Sequence, residues 1–280
     1  LQNLPRPKIK AKDMPRVIDA IKDGRVRDVT DSPMQAFSDV LRSTLIPAIR
    51  NKFVCTDLSN IEGRVLPWLS FEEAVLEAFR EYDAGRGEDI YVVTYAKAFG
   101  ISPKEVNADQ RQIGKCIVLA FGYGGGVGAL INAAAMYRID LRDIVEPVMR
   151  AADSEIITRA ERSYEWAVKH GKTHGLDEDV FVACSVLKHA WRDLHPNVVE
   201  FWNDIDKAVR SAMNAPGVEF SAGKVSVRYG RLKFASALII GLPSGRKLHY
   251  YNPKMREKEP EEEDPIGGEH LTFMGLDSVT

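Results

Sequence analysis

Three cysteines in 280 residues, Cys55, Cys116 and Cys184, are too few and too widely spaced for a zinc clip or a disulfide scaffold. Each stands among apolar neighbours and reads as a buried free thiol in a reducing compartment. Long hydrophobic runs are lacking as well. Nothing approaches the roughly 20 apolar residues of a membrane helix, and Leu1-Gln2-Asn3-Leu4-Pro5-Arg6 resembles neither a signal nor a transit peptide. The expectation is a soluble chain with no membrane partner. Charge of one sign is also missing, with a formal net charge of -2 and a pI near 6.4. No global field therefore recruits nucleic acid, and any such site has to be local.

What is present suffices for a large core, since 45% of the residues are hydrophobic, and the length suits one large domain or two subdomains. Residues 1–52 hold a local excess of charge, eleven cations against six carboxylates. That excess suits a phosphate backbone and a solvated face equally well.

The apolar pattern divides the chain into a strand, a helical block and a sheet. Phe37, Val40, Leu41, Thr44 and Leu45 recur at helical spacing up to Pro47, and Lys52-Phe53-Val54-Cys55-Thr56 reads as a short buried strand. Asp57 then falls at the strand's C-terminal end. From Ile61 to Phe79 the helical period returns, with Pro67 expected to kink or divide the helix. Ser102-Pro103-Lys104-Glu105 is a capping box, and a second helix starts near Asn107 or Ala108, runs through Leu119 and stops at Gly122, Gly124, Gly125 and Gly126. Residues 128–149, 154–170, 179–193 and 196–213 all read as helical. The period then changes to two over 218–221 and 224–228, and 237–240 with 247–251 forms a hairpin around Pro243-Ser244-Gly245. Residues 257–264 read as an acidic, solvated loop. This order predicts an α+β protein whose helices are inserted between parts of one sheet.

Two stretches carry the chemistry. Asp57-Leu58-Ser59-Asn60-Ile61-Glu62-Gly63-Arg64 places a carboxylate at a strand end, where it can hold a metal ion, although spacing alone favours a helix cap. Arg111, Lys115, Leu119 and Tyr123 are four apart, so each step advances about 400° and leaves them on one slowly curling stripe. Two cations one turn apart near a helix start can grip successive phosphates, with the apolar side chain and the ring nearer a sugar and base. Taken alone, the stripe favours two solvent-facing cations and a core tyrosine. His170 and His174 have the spacing of a helical metal pair, but Gly171 and Gly175 interrupt the helix. The glycines at 124–128 follow a helix and lack a Gly-Lys-Ser/Thr ending, so they read as a helix stop and hinge rather than a phosphate loop.

Together these residues resemble the family A DNA polymerases. Asp57-x-Ser59-x-x-Glu62-x-Arg64 is similar to that family's first polymerase motif, and Arg111-x-x-x-Lys115 with Tyr123-Gly124 is similar to its fingers-helix motif. Gln2-Asn3-Leu4-Pro5 resembles its Gln-Asn-Ile/Leu-Pro element. Leu242-Pro243-Ser244-Gly245-Arg246, Trp191-Arg192, His195-Pro196 and Phe201-Trp202 resemble the phage branch. The resemblance implies a right-hand polymerase fold: palm over 1–68, helical fingers over 69–214 and a β-rich return to the palm over 215–280, with an incomplete palm and no thumb. It implies template-directed DNA polymerisation from dNTPs on primer-template DNA in the cytoplasm of a bacterial or phage-infected cell, with two Mg²⁺ ions. Asp57 is then a catalytic metal ligand assisted by the Leu58 carbonyl. Glu62 is the steric gate against a ribose 2'-hydroxyl, and Arg111 and Lys115 hold the triphosphate. Lys115 is also the acid for the pyrophosphate leaving group, and Leu119 and Tyr123 lie by the sugar and nascent base pair. Arg64, Arg246, Gln2 and Asn3 meet DNA. Accessory replication proteins are left open.

The departures are specific. Leu119 stands where the family has Phe or Tyr, Leu58 replaces a common Tyr, and Gly63 replaces a common Leu, which implies altered packing under the sugar. None of the six histidines precedes an aspartate, so the family's His-Asp-Glu motif is absent, as is the Gln-rich helix before it. The reading is a fragment with part of the palm and all of the fingers. A single-subunit RNA polymerase relative is the less favoured enzyme because of Glu62. A nucleotide- or DNA-binding module without its own chemistry, or half of a split polymerase completed by a partner chain, is the other alternative. The purified 280-residue chain is therefore expected not to extend a primer; extension above control levels that Asp57→Ala abolishes contradicts this.

Overall fold

Hydrophobic spacing in the first 59 residues supports only a small core. The computed structural model describes residues 5, 7–231, 235–257 and 269–272, and the chain divides into two units, 1–59 and 60–280. In the first unit, α1 (Met14–Lys22) and α2 (Pro33–Val40) bury Val17, Ala36 and Val40, with Ile9, Met14, Ile18 and Val26 packed around them. Asp39 is buried there, accepting from the Lys8 backbone N–H at 3.1 Å and from Gln35 Nε2 at 2.7 Å. The helical period of residues 37–45 ends as a 3₁₀ turn, Leu41–Thr44, ahead of Pro47.

The strand expected over 52–56 does not form. Residues 51–58 have no regular structure, and Phe53 and Val54 are exposed. An apolar run of strand length becomes a strand only where another edge supplies its ladder of hydrogen bonds, and among the described residues this run belongs to no ladder. Cys55 is consequently exposed, against the expectation of three buried thiols. Cys116 and Cys184 are buried, and burial raises their thiols to about 11 and about 12, respectively.

The second unit begins with α3 (Ile61–Ser70) and α4 (Glu73–Asp83). Pro67 sits inside α3 without dividing it. The break comes at Phe71, left-handed at φ 59°, and the Pro67 carbonyl accepts the Glu72 N–H at 2.9 Å. Glu72 is itself buried and accepts the Asn197 N–H at 3.0 Å, putting a carboxylate at the N-terminus of a later helix. Then come α5 (Ile90–Phe99), α6 (Ala108–Gly122), α7 (Val127–Tyr137), α8 (Val145–Ala151), α9 (Ser154–Lys169), α10 (Glu178–Leu194) and α11 (Pro196–Asn214). The stretch read as one helix over 128–149 is broken at Arg138, left-handed at φ 58°, and by a 3₁₀ turn. α10 is the axis of the helical core, burying an almost continuous run from Val180 to His189 and then Trp191.

A four-stranded antiparallel sheet follows in the order β1 (Glu219–Ala222), β2 (Val225–Arg231), β3 (Ser236–Gly241), β4 (Lys247–Tyr251). Val227, Ala222 and Leu238 face α11, meeting Phe201, Val209 and Ala212 in a second core. The hairpin closes where expected, with the Leu242 N–H donating to the Arg246 carbonyl and Gly245 at φ 81°. Strands β5 (Lys254–Glu257) and β6 (Glu269–Thr272) pair separately, and most of the acidic stretch read as a loop lies outside the described residues. The α+β class therefore holds, but the expected insertion of the helices between parts of one sheet does not, because every strand among the described residues follows α11. No helix among the described residues is long and apolar enough to cross a membrane.

One close approach sets the position of α6. A Cβ on Gly114 would stand 2.1 Å from the Tyr91 carbonyl oxygen, 3.0 Å from its carbon and 3.2 Å from the Tyr95 Cβ. Backbone cannot give way as a flexible side chain can. Gly114→Ala is expected to push α6 off α5 and to cost roughly 2–3 kcal/mol in denaturant unfolding; an unchanged midpoint contradicts the contact.

Candidate functional site

Helix α6 starts where its sequence says it should. Asn107 accepts the Gln110 N–H through its side chain at 2.9 Å, and the Gln110 side chain returns the bond to the Asn107 N–H at 2.9 Å. Four residues into the helix, Arg111 turns towards α5, where Asp89 accepts from its Nε at 3.0 Å and also from its Nη2. Its guanidinium carbon lies 5.1 Å from the centroid of the Tyr91 ring. One turn on, the Lys115 ammonium sits 4.9 Å from the centroid of the Tyr137 ring. Neither cation is solvated at random: each has a fixed seat on a neighbouring helix.

The other end of the stripe opens on an apolar cavity of about 510 Å³ inside the second unit. Glu62, Val65 and Leu66 of α3, Phe79 of α4, Leu119 of α6 and Tyr123 line it. Trp191, His195 and Trp202 lie on its other wall, with the two indoles stacked at 6.0 Å and His195 stacked on Trp191 at 4.2 Å. His195 donates its Nδ1 proton to the Trp191 carbonyl at 2.6 Å, and burial lowers its pKa against that bond. Tyr123 caps α6 with 70% of its surface exposed. Partial burial, and then the charge of Glu62, raise its phenol pKa. Tyr91 is raised chiefly by burial, with smaller contributions from Asp89 and Glu62 opposed by Arg111. The structure thus gathers Glu62, Leu119 and Tyr123 at one cavity mouth, with Arg111 and Lys115 further up the same helix.

The remaining sequence candidates stand elsewhere. Arg64 is spanned by Asp83, its two terminal nitrogens donating at 2.7 and 2.8 Å, and it lies 4.4 Å from the Phe79 centroid, tying α3 to α4. Hydrogen bonding to Asp83, and then the charge of the same carboxylate, raise an already high guanidinium pKa against a partial burial that lowers it. Arg246 is exposed at the β3–β4 turn. Gln2 and Asn3 lie outside the described residues. Asp57 and Leu58 belong to the first unit, both exposed in its irregular final segment. Asp57 does not cap α3, whose N-cap is Asn60, left-handed at φ 51°.

Gly63, the departure from a common Leu, has a direct explanation. The Asn60 side-chain amide occupies the space, and a Cβ at position 63 would stand 2.5 Å from its Oδ1. Both amide atoms are buried without a hydrogen-bond partner. For a divalent cation the donors are few. Among the described residues no three of His, Cys, Asp and Glu gather to hold a metal ion, and Asp57 with the Leu58 carbonyl would leave most of a magnesium ion's shell to water and substrate phosphates. These residues do not by themselves fit a metal pair. His170 donates its Nδ1 proton to the Trp166 carbonyl at 2.8 Å, and neither it nor His174 belongs to a metal-holding cluster among the described residues.

Sequence reasoning missed Asp89, Tyr91, Tyr137 and Asp83, the partners that seat the cations. Asp89 carried a signal, since an Asp before the apolar run of 90–99 is an N-cap pattern, and its side chain does accept the Tyr91 N–H at 2.7 Å. Its pairing with a residue 22 positions on carried none.

Known DNA polymerases resemble this sequence. A family model described as DNA polymerase family A matches residues 24–146. A DNA polymerase of Bacillus phage SP02 is 29% identical over 282 residues, covering 98% of this chain and 35% of its own length. A DNA polymerase I of Chloroflexus aurantiacus is 27% identical over 130 residues, covering 46% of this chain and 13% of its own length. A DNA polymerase I of Lactococcus lactis subsp. cremoris is 29% identical over 107 residues, covering 38% and 12%. No solved structure matches. The chain is similar to the family A DNA polymerases over residues 24–146 and to a phage DNA polymerase along nearly its whole length, and it spans about a third of that relative.

Proposed function

We propose that this chain is the nucleotide-receiving part of a DNA-directed DNA polymerase that takes dNTPs on primer-template DNA in a bacterial or phage-infected cell. The observation that carries the proposal is the stripe on α6, with one seated cation in its first turn, a second at mid-helix and Tyr123 with Glu62 at a cavity mouth. Phosphoryl transfer asks a protein mainly to position its substrate and to neutralise charge on the phosphates. In this reading Arg111 and Lys115 take the triphosphate oxygens, helped by the positive end of α6. Lys115 carries three donor protons and serves as the acid towards the departing pyrophosphate. Leu119 and Tyr123 offer the base and sugar an apolar wall and a ring. Glu62, exposed at the same mouth, fills the space a ribose 2'-hydroxyl would need and so favours deoxynucleotides. The helices of 69–214 correspond to fingers, and 1–68 with the sheet of 215–280 to palm.

Magnesium, when bound, would supply Lewis-acid neutralisation at the reacting phosphate. Asp57 and the Leu58 carbonyl are the donors this chain offers it, and no reaction step follows from them alone. Arg64 and Arg246 are read as supports near the primer, Arg64 acting through the α3–α4 clamp it makes with Asp83. Gln2 and Asn3 remain candidates for DNA contact. The shortage of carboxylates beside Asp57 favours one second reading, a nucleotide-binding chain that takes its remaining metal ligands from a partner.

In the full-length protein, Arg111→Ala and Lys115→Ala are each expected to raise the apparent Kd for dNTP by roughly tenfold or more, a loss of one or more charge-assisted hydrogen bonds. Affinity for primer-template DNA should stay within about twofold, and Lys115→Ala should also slow the maximal rate. Unaltered dNTP affinity in both variants contradicts the assignment.

A further inference from the structure

The strongest unexplained feature beside the stripe is the carboxylate that holds its first cation. Asp89 is the N-cap of α5, and its two oxygens have separate duties: Oδ1 accepts the Tyr91 N–H at 2.7 Å, and Oδ2 accepts both Nε and Nη2 of Arg111. The pair is partly sheltered, with the Asp89 side chain 20% exposed and that of Arg111 41% exposed. Below the guanidinium lies the Tyr91 ring, part of the same first turn of α5. Three rigid features therefore fix one flexible side chain: a capped helix end, an aromatic face and the close α5–α6 contact that Gly114 permits. With Nε and Nη2 committed, Nη1 and the second Nη2 proton are left for another acceptor.

We infer that Asp89 is a positioning residue for nucleotide binding, holding the Arg111 guanidinium in place before a triphosphate arrives. The inference rests on the proposed reading of Arg111 as a triphosphate ligand. An arginine side chain carries about 2 kcal/mol of rotamer entropy. Fixing it in the nucleotide-free protein means that less of this is lost when the phosphates bind. A carboxylate in contact with Arg111 also opposes an incoming anion, so the two effects have opposite signs. Geometry decides between them. Both donors that Asp89 takes lie on one edge of the guanidinium, leaving the other edge free, so the carboxylate orients the fork without occupying the whole of it.

The test is a double-mutant cycle in the full-length protein on primer-template DNA, with dNTP Kd and maximal rate measured by single-turnover extension. Asp89→Asn keeps an oxygen for the Tyr91 N–H and removes the charge, so α5 stays capped. It is expected to raise the dNTP Kd roughly five- to tenfold with a much smaller change in maximal rate and in DNA affinity. In an Arg111→Ala background the same substitution should add no further loss. A Kd that falls in Asp89→Asn makes the carboxylate a competitor and overturns the inference. So does an equal loss with and without Arg111, which assigns Asp89 a purely structural role, and so does an unchanged Kd where Arg111→Ala alone weakens binding. If Arg111→Ala itself leaves dNTP affinity unchanged, the triphosphate reading fails first and the inference falls with it.

Discussion

The arrangement depends on a side chain that is missing. Gly114 lets the backbone of α6 come so close to α5 that a single Cβ would fall 2.1 Å from the Tyr91 carbonyl oxygen. Interiors packed at crystal-like density do not absorb that overlap locally, so an added methyl has to move a helix. The contact brings the first turn of α5, with Asp89 and Tyr91, alongside the first turn of α6, with Arg111. Tyr95 and Phe99 continue the α5 face, stacked at 4.0 Å, and meet Cys116, Ile117 and Ala120 within the helical core. The two helices thus form one platform, with charge at one end and an apolar cavity at the other.

That platform resolves an electrostatic difficulty. Cations meant for a polyanion must be close together, yet like charges repel and desolvated cations are costly. Here each has a different neighbour. Arg111 has a carboxylate and a ring, while Lys115 has the Tyr137 face and no hydrogen-bonded carboxylate among the described contacts. Arg64, read as a DNA contact, has a full two-pronged partner in Asp83 instead. A planar fork satisfied on one edge can still donate from the other, whereas a fork closed by a bidentate carboxylate serves mainly as a tie between helices.

Much of this was legible in the sequence, and the failures have particular causes. The start of α6 was readable because Asn107 and Gln110 form a local capping box, and its stop because Gly124 adopts φ 73°. The β3–β4 hairpin was readable because its turn chemistry is local. The strand at 52–56 was misread because pairing is a property of two segments, and one apolar run cannot report whether an edge awaits it. Pro67 was overrated as a breaker, since the chain turns four residues later at Phe71, where buried Glu72 caps α11 from 125 positions away. Of the site, the stripe was visible from four-residue spacing, whereas the seats of its cations on α5 and α7 were not. Gly63 shows the same limit: its absent side chain makes sense only with the Asn60 amide in view.

The central claim is that α6 receives the nucleotide, and photolabelling tests it most directly. A dNTP analogue carrying an azide on its base would be bound to the full-length protein on primer-template DNA, irradiated and mapped by peptide mass spectrometry. The account predicts labelling at the C-terminal end of α6, at or beside Leu119 and Tyr123, suppressed by excess natural dNTP and weakened by Arg111→Ala. Label confined to peptides outside residues 60–123, still competed by dNTP, contradicts it.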